Sequence, residues 1–258
     1  MLKQISTEEL EEVLRKHKLW IENGDNEYGE KAELSGYNLR HYNLSGVNLS
    51  YADLSYTDLS YTELSYTNLT GSDLSCCNLM GSNLNCSNLR CSILDNSDLR
   101  GANLEHCDLS LAHLRNSKFR LTNLMGSNLA NSSLRGVDLT NVIYDEITSF
   151  LALQCPEKGS FIGYKKAGNK IVELLITEDS KRSSSTSRKC RCSKAKVLSI
   201  ESIDKKEIFQ TVASSHDYNF VYEVGKIVEV KDFDEDRWKE CSTGIHFFIT
   251  RGEAELYY

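Results

Sequence analysis

Ala52-Asp53-Leu54-Ser55-Tyr56-Thr57-Asp58-Leu59-Ser60-Tyr61 repeats one five-residue phrase twice, and the phrase runs through residues 32–141. Stepping by five from Leu34 to Leu139 gives 22 positions, of which 21 are Leu and one is Phe119. From Ala52 to Ser132 the residue two before each marker is always Ala, Ser, Thr or Cys, and the residue directly before it is Asn or Asp at 16 of the 22. A period of five fits neither the 3.6 of an amphipathic helix nor the 2 of a strand. A unit too short to bury its own apolar residue must stack on copies of itself, so the middle of the chain reads as a solenoid.

These residues resemble the pentapeptide-repeat family, whose phrase is a small residue, Asp or Asn, Leu and two variable residues. The resemblance implies an all-β solenoid, a right-handed quadrilateral β-helix with one pentapeptide per side and four per coil. In that geometry the Leu and the small residue point inward, and residues 20 apart are vertical neighbours at roughly 4.8 Å. Small inward residues are required because a narrow lumen already filled by Leu has no room for a second bulky side chain. Tyr37, Tyr42 and Val47 break that rule, so the first coil is expected to be distorted or open.

Columns read at a step of 20 separate structural surface from recognition surface. Asn43, Asn83, Asn103 and Asn123 share a side with Glu63, and Asn48, Asn68, Asn88 and Asn128 share another with Asp108, as amide ladders would. Tyr51, Tyr56, Tyr61 and Tyr66 fall on four different sides and make no stacking platform. Asp98, Lys118 and Asp138 alternate in sign along one column, while Glu33, Asp53 and Asp73 form an acidic one. Arg100 lies under Arg120 and Arg115 under Arg135, with Asp95 beneath Arg115; stacked like charges repel, so these four arginines suit an anionic partner or a paired acidic surface. Some members of the family mimic a DNA duplex and act on topoisomerases, but that needs dense negative charge, and residues 32–141 hold 10 acids against 7 bases.

Outside the repeats, Ser6-Thr7-Glu8-Glu9 is a capping-box pattern, followed by Leu10, Val13, Leu14, His17, Trp20 and Ile21 at helical spacing. Residues 1–31 are therefore read as an N-terminal capping helix and loop, because a solenoid end needs its apolar core and strand edges covered. The β-helix is expected over 32–148, ending where Tyr144 occupies the marker position; 149–160, with the single Pro156, reads as a linker. Residues 161–258 read as a small α+β domain. Phe161–Lys165 and Lys170–Ile176 flank the hairpin signal Ala167-Gly168-Asn169; further strands are expected over 195–203, 225–230 and 245–250, with helices over 234–241 and 252–258. The phrases Phe161-Ile162-Gly163-Tyr164, Ser193-Lys194-Ala195-Lys196-Val197-Leu198 and Gly244-Ile245-His246-Phe247-Phe248 resemble an uncharacterised domain attached to pentapeptide repeats in bacterial and phage proteins. That resemblance carries no activity with it.

The formal net charge of −7 resides in the first 150 residues; residues 151–258 are nearly balanced, with 18 basic and 17 acidic side chains. No apolar run is long enough for a membrane span, and the start lacks a signal peptide pattern. Nine cysteines, with none of Cys76, Cys77, Cys86, Cys91 and Cys107 separated by 20, point to reduced thiols in the cytoplasm.

Chemistry is sought in the C-terminal domain. Residues 181–196 read as an open loop with seven basic residues and no acid, among Ser183, Ser184, Ser185, Thr186 and Ser187. Arg182, Arg188, Lys189 and Arg191 there could hold phosphate, nucleotide, nucleic acid or an acidic partner, or could pair with Asp232, Asp234, Glu235 and Asp236. Cys190, Cys192, Cys241 and His246 supply zinc ligand types, but Cys-x-Cys is tighter than the commonest knuckle spacing, and thiols without metal or any other cofactor are the preferred reading. Cys241 with His246 and Cys190 with His216 are nucleophile and base candidates by residue type alone. The sequence thus favours a non-enzymatic binding or scaffold protein, a rigid rod with a C-terminal domain that engages a protein partner or an anion; a homodimer through either rod end is compatible with it. The alternative, an enzyme in the C-terminal domain, requires His216, Cys241 and His246 to line a concave pocket.

Overall fold

Every marker from Leu34 to Leu134 is at most 1% exposed, Phe119 included. The computed structural model describes residues 2–24, 29–151 and 153–257. Cα packing divides the chain into two units, Met1–Leu151 and Ala152–Tyr258.

In the first unit, parallel bridges join residues 20 apart, from Glu33 with Asp53 to Asn123 with Ile143. From Leu34 to Leu129 each marker's N–H donates one coil on, as from Leu34 to Asp53 O at 2.7 Å, while Asp53 N donates back to Ala32 O at 3.0 Å. Twenty residues therefore make one coil. The small residue two before each marker closes a turn on the preceding marker, as Thr57 N does on Leu54 O at 3.2 Å. The second residue after each marker has positive φ (Tyr56 58°, Gly71 65°), the pattern of a type II turn.

The small inward residues also solve a polar problem. Thr57, Thr62 and Thr67 donate their hydroxyls to the carbonyls of Leu34, Leu39 and Leu44 in the neighbouring coil at 2.7–2.9 Å. Ser72 and Ser92 instead donate to the marker three back, at 2.7 and 2.6 Å. A buried hydroxyl without a partner would destabilise the column, and these have one. Cys77 and Cys107 take the Thr role on Leu54 O and Leu84 O, and burial pushes the Cys107 thiol up to about 12.

The Asn and Asp residues before the markers mostly serve their own turn. Asp53 Oδ1 accepts from Ser55 N at 2.9 Å, and Asn48, Asn68 and Asn88 do likewise for Ser50, Thr70 and Arg90. The first expected amide ladder runs from Glu63 through Asn83 and Asn103 to Asn123, with amide bonds of 3.2 and 3.1 Å. The second is reduced to Asn128 on Asp108 at 3.2 Å. Tyr51 and Tyr61 each lean over the glycine one coil on: a Cβ at Gly71 or Gly81 would stand 2.8 or 2.7 Å from the ring.

Helix α1, Thr7–Asn23, starts at the expected box: Ser6 accepts from Glu9 N, and Glu9 reaches back to Ser6 N. The first coil is regular, because its large residues find partners. Tyr42 donates to Ile5 O at 2.8 Å, and Lys3 pairs with Tyr37 as one more parallel rung. His17, wholly buried, accepts from Ala32 N at 3.0 Å. At the far end Tyr144 is 58% exposed, and Asn128 bridges Ser149, 21 residues on rather than 20.

The second unit holds β1 (Phe161–Ala167), β2 (Lys170–Ile176), β3 (Arg182–Ser184), β4 (Cys190–Cys192), β5 (Lys194–Ser202), β6 (Thr211–Ala213), β7 (Val221–Glu223), β8 (Ile227–Glu229), β9 (Ile245–Phe247) and α2 (Arg251–Leu256). Three sheets result, β1-β2-β5-β8, β3-β4-β9 and β6-β7, all with antiparallel pairs. Ala167 pairs with Lys170 across Gly168-Asn169, with Gly168 at φ 62°, as a two-residue hairpin requires. Val172, Leu174, Cys190, Cys192, Val197, Tyr222, Ile245 and Phe247 form the core.

Three sequence expectations change here. The basic stretch 181–196 is the β3–β4 hairpin and the start of β5, with Ser183, Ser184, Ser185, Thr186 and Arg191 buried, not an open loop. No helix forms over 234–241, because that backbone wraps Arg191, whose guanidinium takes the carbonyls of Asp234, Asp236 and Thr243 at 2.8–3.0 Å. The expected linker 149–160 is shared out: Ser149 still bridges Asn128, whereas Cys155 is buried in the second unit's core. The closing helix ends at Leu256, and Tyr258 lies outside the described residues.

Candidate ligand-binding pocket

Along β1 the inward positions are Gly163, Lys165 and Ala167, so a lysine stands between two small residues on the core face. Its backbone lies in the sheet, and the residue lines a cavity of about 920 Å³ within the second unit. The walls come from β1, the residue before β4, the 214–217 turn, β7, the 229–232 and 241–244 loops, β9 and the residue after α2.

Lys165 is 8% exposed and its Nζ lies 5.9 Å from the centre of the Tyr222 ring. Among the described residues it has no ion pair, and burial, then the Lys189 ammonium, bring it down to about 8 from an ordinary 10.5. Lys189, partly buried, donates to Tyr257 Oη at 3.3 Å and to Cys241 Sγ at 3.6 Å. Burial pulls its pKa down, but Tyr257, Cys241 and Glu240 outweigh that, and the net shift is upward. Lys189 therefore stays a cation where Lys165 is close to giving up its proton.

His246 sits on the wall from β9. Burial, reinforced by Lys189 and Lys165 and opposed by the Glu240 carbonyl, lowers it to about 4, so the ring is neutral at pH 7. Nε2 lies 3.1 Å from Glu240 O, which can only accept; Nε2 thus carries the proton and Nδ1 is left as an acceptor. His216, Cys241 and Tyr257 line the same cavity, as do the acids Asp217, Glu229 and Asp232.

Of the basic residues singled out in the sequence, Lys189 alone reaches this cavity. Arg182 spends its guanidinium on the carbonyls of Pro156, Gly159, Thr177, Glu178 and Ser180. Arg188 pairs with Glu253 at 2.6 Å, Lys181 pairs with Glu235, and Arg191 is bound internally with its plane 5.3 Å over Phe233. In the first unit Arg100 is held by Asp98 at 2.7 Å, with Lys118 also on Asp98 at 3.6 Å. Arg115 N takes Asp95 and its Nε takes Ser133 Oγ; Arg120 and Arg135 are exposed.

The four zinc-type residues are not gathered. Cys190 pairs with Phe247 and Cys192 with Ile245 on the core face of β4–β9, whereas His246 is opposite Arg191 on the other face. Cys241 is exposed in a loop, and among the described residues no group of three His, Cys, Asp or Glu is arranged for a metal. All nine cysteines are free thiols. Among the described residues no helix is long and apolar enough to cross a membrane. Sequence reasoning missed Lys165, Tyr222 and Tyr257. The available signal for Lys165 was a lysine in phase with Gly163 and Ala167 on a strand's core face.

Residues 30–60, 62–101 and 107–143 match the model of pentapeptide repeats (8 copies), and residues 151–254 match a family of unknown function, DUF5758. Among curated proteins there is no match. Solved structures similar to this chain include HetL, a pentapeptide repeat protein involved in heterocyst differentiation regulation from the cyanobacterium Nostoc sp. strain PCC 7120. It is 33% identical over 45% of this chain and 55% of HetL, with a TM-score of 0.44, so the chain spans about half of HetL's length. Rfr23, a pentapeptide repeat protein from the cyanobacterium Cyanothece 51142, is 27% identical over 45% of this chain and 86% of its own, TM-score 0.22. QnrB1, a plasmid-mediated fluoroquinolone resistance protein, is 16% identical over 45% and 88%, TM-score 0.23.

Proposed function

We propose that this chain, a member of the pentapeptide-repeat family through residues 30–143 that also carries a DUF5758 domain at residues 151–254, is a binding protein whose C-terminal domain takes a small anionic ligand. The observation that carries this reading is the cavity of about 920 Å³ lined by Lys165, to which no carboxylate is paired among the described residues. A buried ammonium is costly, and an anion that pairs with it recovers that cost on binding. Lys189 supplies a second positive charge, and the Tyr257 hydroxyl a directional donor or acceptor.

The repeats are taken as a right-handed, four-sided β-helix with α1 as its N-terminal cap, offering a preformed surface to a protein partner without ordering cost. Arg115, Arg120 and Arg135, all exposed, are the cations that would meet an acidic patch on it. The cytoplasmic reading rests on nine cysteines that remain thiols.

Calorimetric titration of the full chain with inorganic phosphate, citrate and lactate tests the pocket. At least one anion is expected to bind, and Lys165→Met and Lys189→Met each to weaken it about tenfold or more. No binding by any of the three, or binding unchanged in both variants, refutes the reading.

A second reading, an enzyme in the same domain, is favoured by His216, Cys241 and His246 all lining the cavity. Hydrolysis of p-nitrophenyl esters or phosphates no faster than by a Cys241→Ser variant would remove a thiol hydrolase.

A further inference from the structure

We propose that Lys165 is an imine-forming amine, and that the ligand of this cavity is a small aldehyde or ketone carrying an anionic group. This rests on the anion-pocket reading above and names the chemistry of its ligand. The argument begins with what Lys165 is not. Among the described residues it makes no ion pair, so it is not one half of a buried salt bridge there, and it is 8% exposed, so it is not a solvated surface charge. On the same face of β1 it is flanked by Gly163 and Ala167, and it pairs with Val172 in an apolar core. An apolar side chain would suit that position better, which makes the amine itself the reason for the residue.

Its surroundings are those that make a lysine nucleophilic: a buried position beside an apolar core and a second ammonium lining the same cavity. Together they hold a useful fraction of Lys165 as free amine at neutral pH, consistent with its lowered pKa of about 8. Lys189 is kept as a cation by the Tyr257 hydroxyl and the Cys241 thiol and supplies the charge that an anionic group on the ligand would seek. His246, neutral with Nδ1 as a free acceptor, lines the same wall and can take and return a proton.

The step balances without any further reactant. The Lys165 nitrogen attacks the carbonyl carbon, a C–N bond forms, and the C=O π pair goes to oxygen, which takes one proton from nitrogen. The carbinolamine then expels that oxygen as water with nitrogen's second proton, leaving a C=N bond. Amine and carbonyl give imine and water, with no oxidation or reduction.

The test uses the full chain with pyruvate and with glyoxylate, each with sodium cyanoborohydride, followed by peptide mapping. Lactate, which keeps the carboxylate but has no carbonyl, is titrated in parallel. The expected result is an adduct on Lys165 at least tenfold over any other lysine, absent from Lys165→Arg and reduced several-fold in Lys189→Met. Adducts spread over the lysines in proportion to exposure overturn the proposal. Lactate binding with no Lys165 adduct from either carbonyl compound overturns the imine while leaving the anion pocket standing; neither binding nor adduct removes both. Because the adduct is mapped in the unaltered chain, the result stands even if Lys165→Arg fails to fold.

Discussion

Replacing Lys165 by Met should make the C-terminal unit more stable at neutral pH, and the gain should vanish in alkali. Holding Lys165 at about 8 against an ordinary 10.5 corresponds to about 3 kcal/mol set against the charged form in the folded state. Below pH 8 both states bind the proton, so the full penalty is present. Between pH 8 and 10.5 the unfolded chain binds more proton than the folded one, and the penalty fades; above 10.5 it is gone. Met fills nearly the same volume with no charge, at the loss of a cation–π contact with Tyr222 of about 1 kcal/mol, so the net gain at pH 7 is about 2 kcal/mol. The wild-type profile alone is a poor readout, because buried Cys190, Cys192 and Tyr222, raised by their surroundings, lose stability as pH rises through their unfolded values. The difference between variant and wild type cancels those groups. The assay is urea unfolding from pH 7 to 10.5, read by Trp238 fluorescence in a Trp20→Phe background. A Lys165→Met unit less stable than wild type at pH 7, or a difference constant across that range, refutes the account of Lys165 as an uncompensated buried ammonium.

Arg191→Met should destabilise the same unit by at least 3 kcal/mol, since the carbonyls of Asp234, Asp236 and Thr243 lose their donor; Arg191→Lys should recover little, because one ammonium cannot span all three. Urea unfolding measures the loss, and pocket binding should fail with it, as the 241–244 loop forms one wall. In the coil, Thr62→Val should cost about 1 kcal/mol through the hydroxyl's bond to Leu39 O, whereas Thr62→Leu should cost more by overfilling the lumen, about 1–3 kcal/mol. Thermal unfolding followed by circular dichroism compares the two; equal effects would mean that the inward site is not tightly packed.

Much of the first unit was legible because its environment repeats with its sequence. The marker leucines, the inward Thr and Ser, the 20-residue rise and the Ser6–Glu9 box each follow from a local phrase. Two readings there went astray for a local reason as well. Of the two expected amide ladders the first forms and the second is reduced to Asn128 on Asp108, the Oδ1 atoms of Asn48, Asn68 and Asn88 serving the backbone N–H two residues on, and the large residues of the first coil are met by Lys3 and Ile5 from the preceding segment.

What the sequence by itself determined was the coil and the existence of a separate C-terminal domain with β1, β2, β5, β8 and β9. Tertiary structure alone decided the chemistry. β4 pairs with β9 across more than fifty residues, which buries Arg191, separates Cys190 and Cys192 from His246, and turns an apparently open basic loop into a packed hairpin. Lys165 becomes exceptional only because Tyr222, Lys189, His246 and Tyr257, all distant in the chain, close around it. A side chain's charge cost depends on which groups surround it in space, and in a domain without repeats the chain's order does not say which those are.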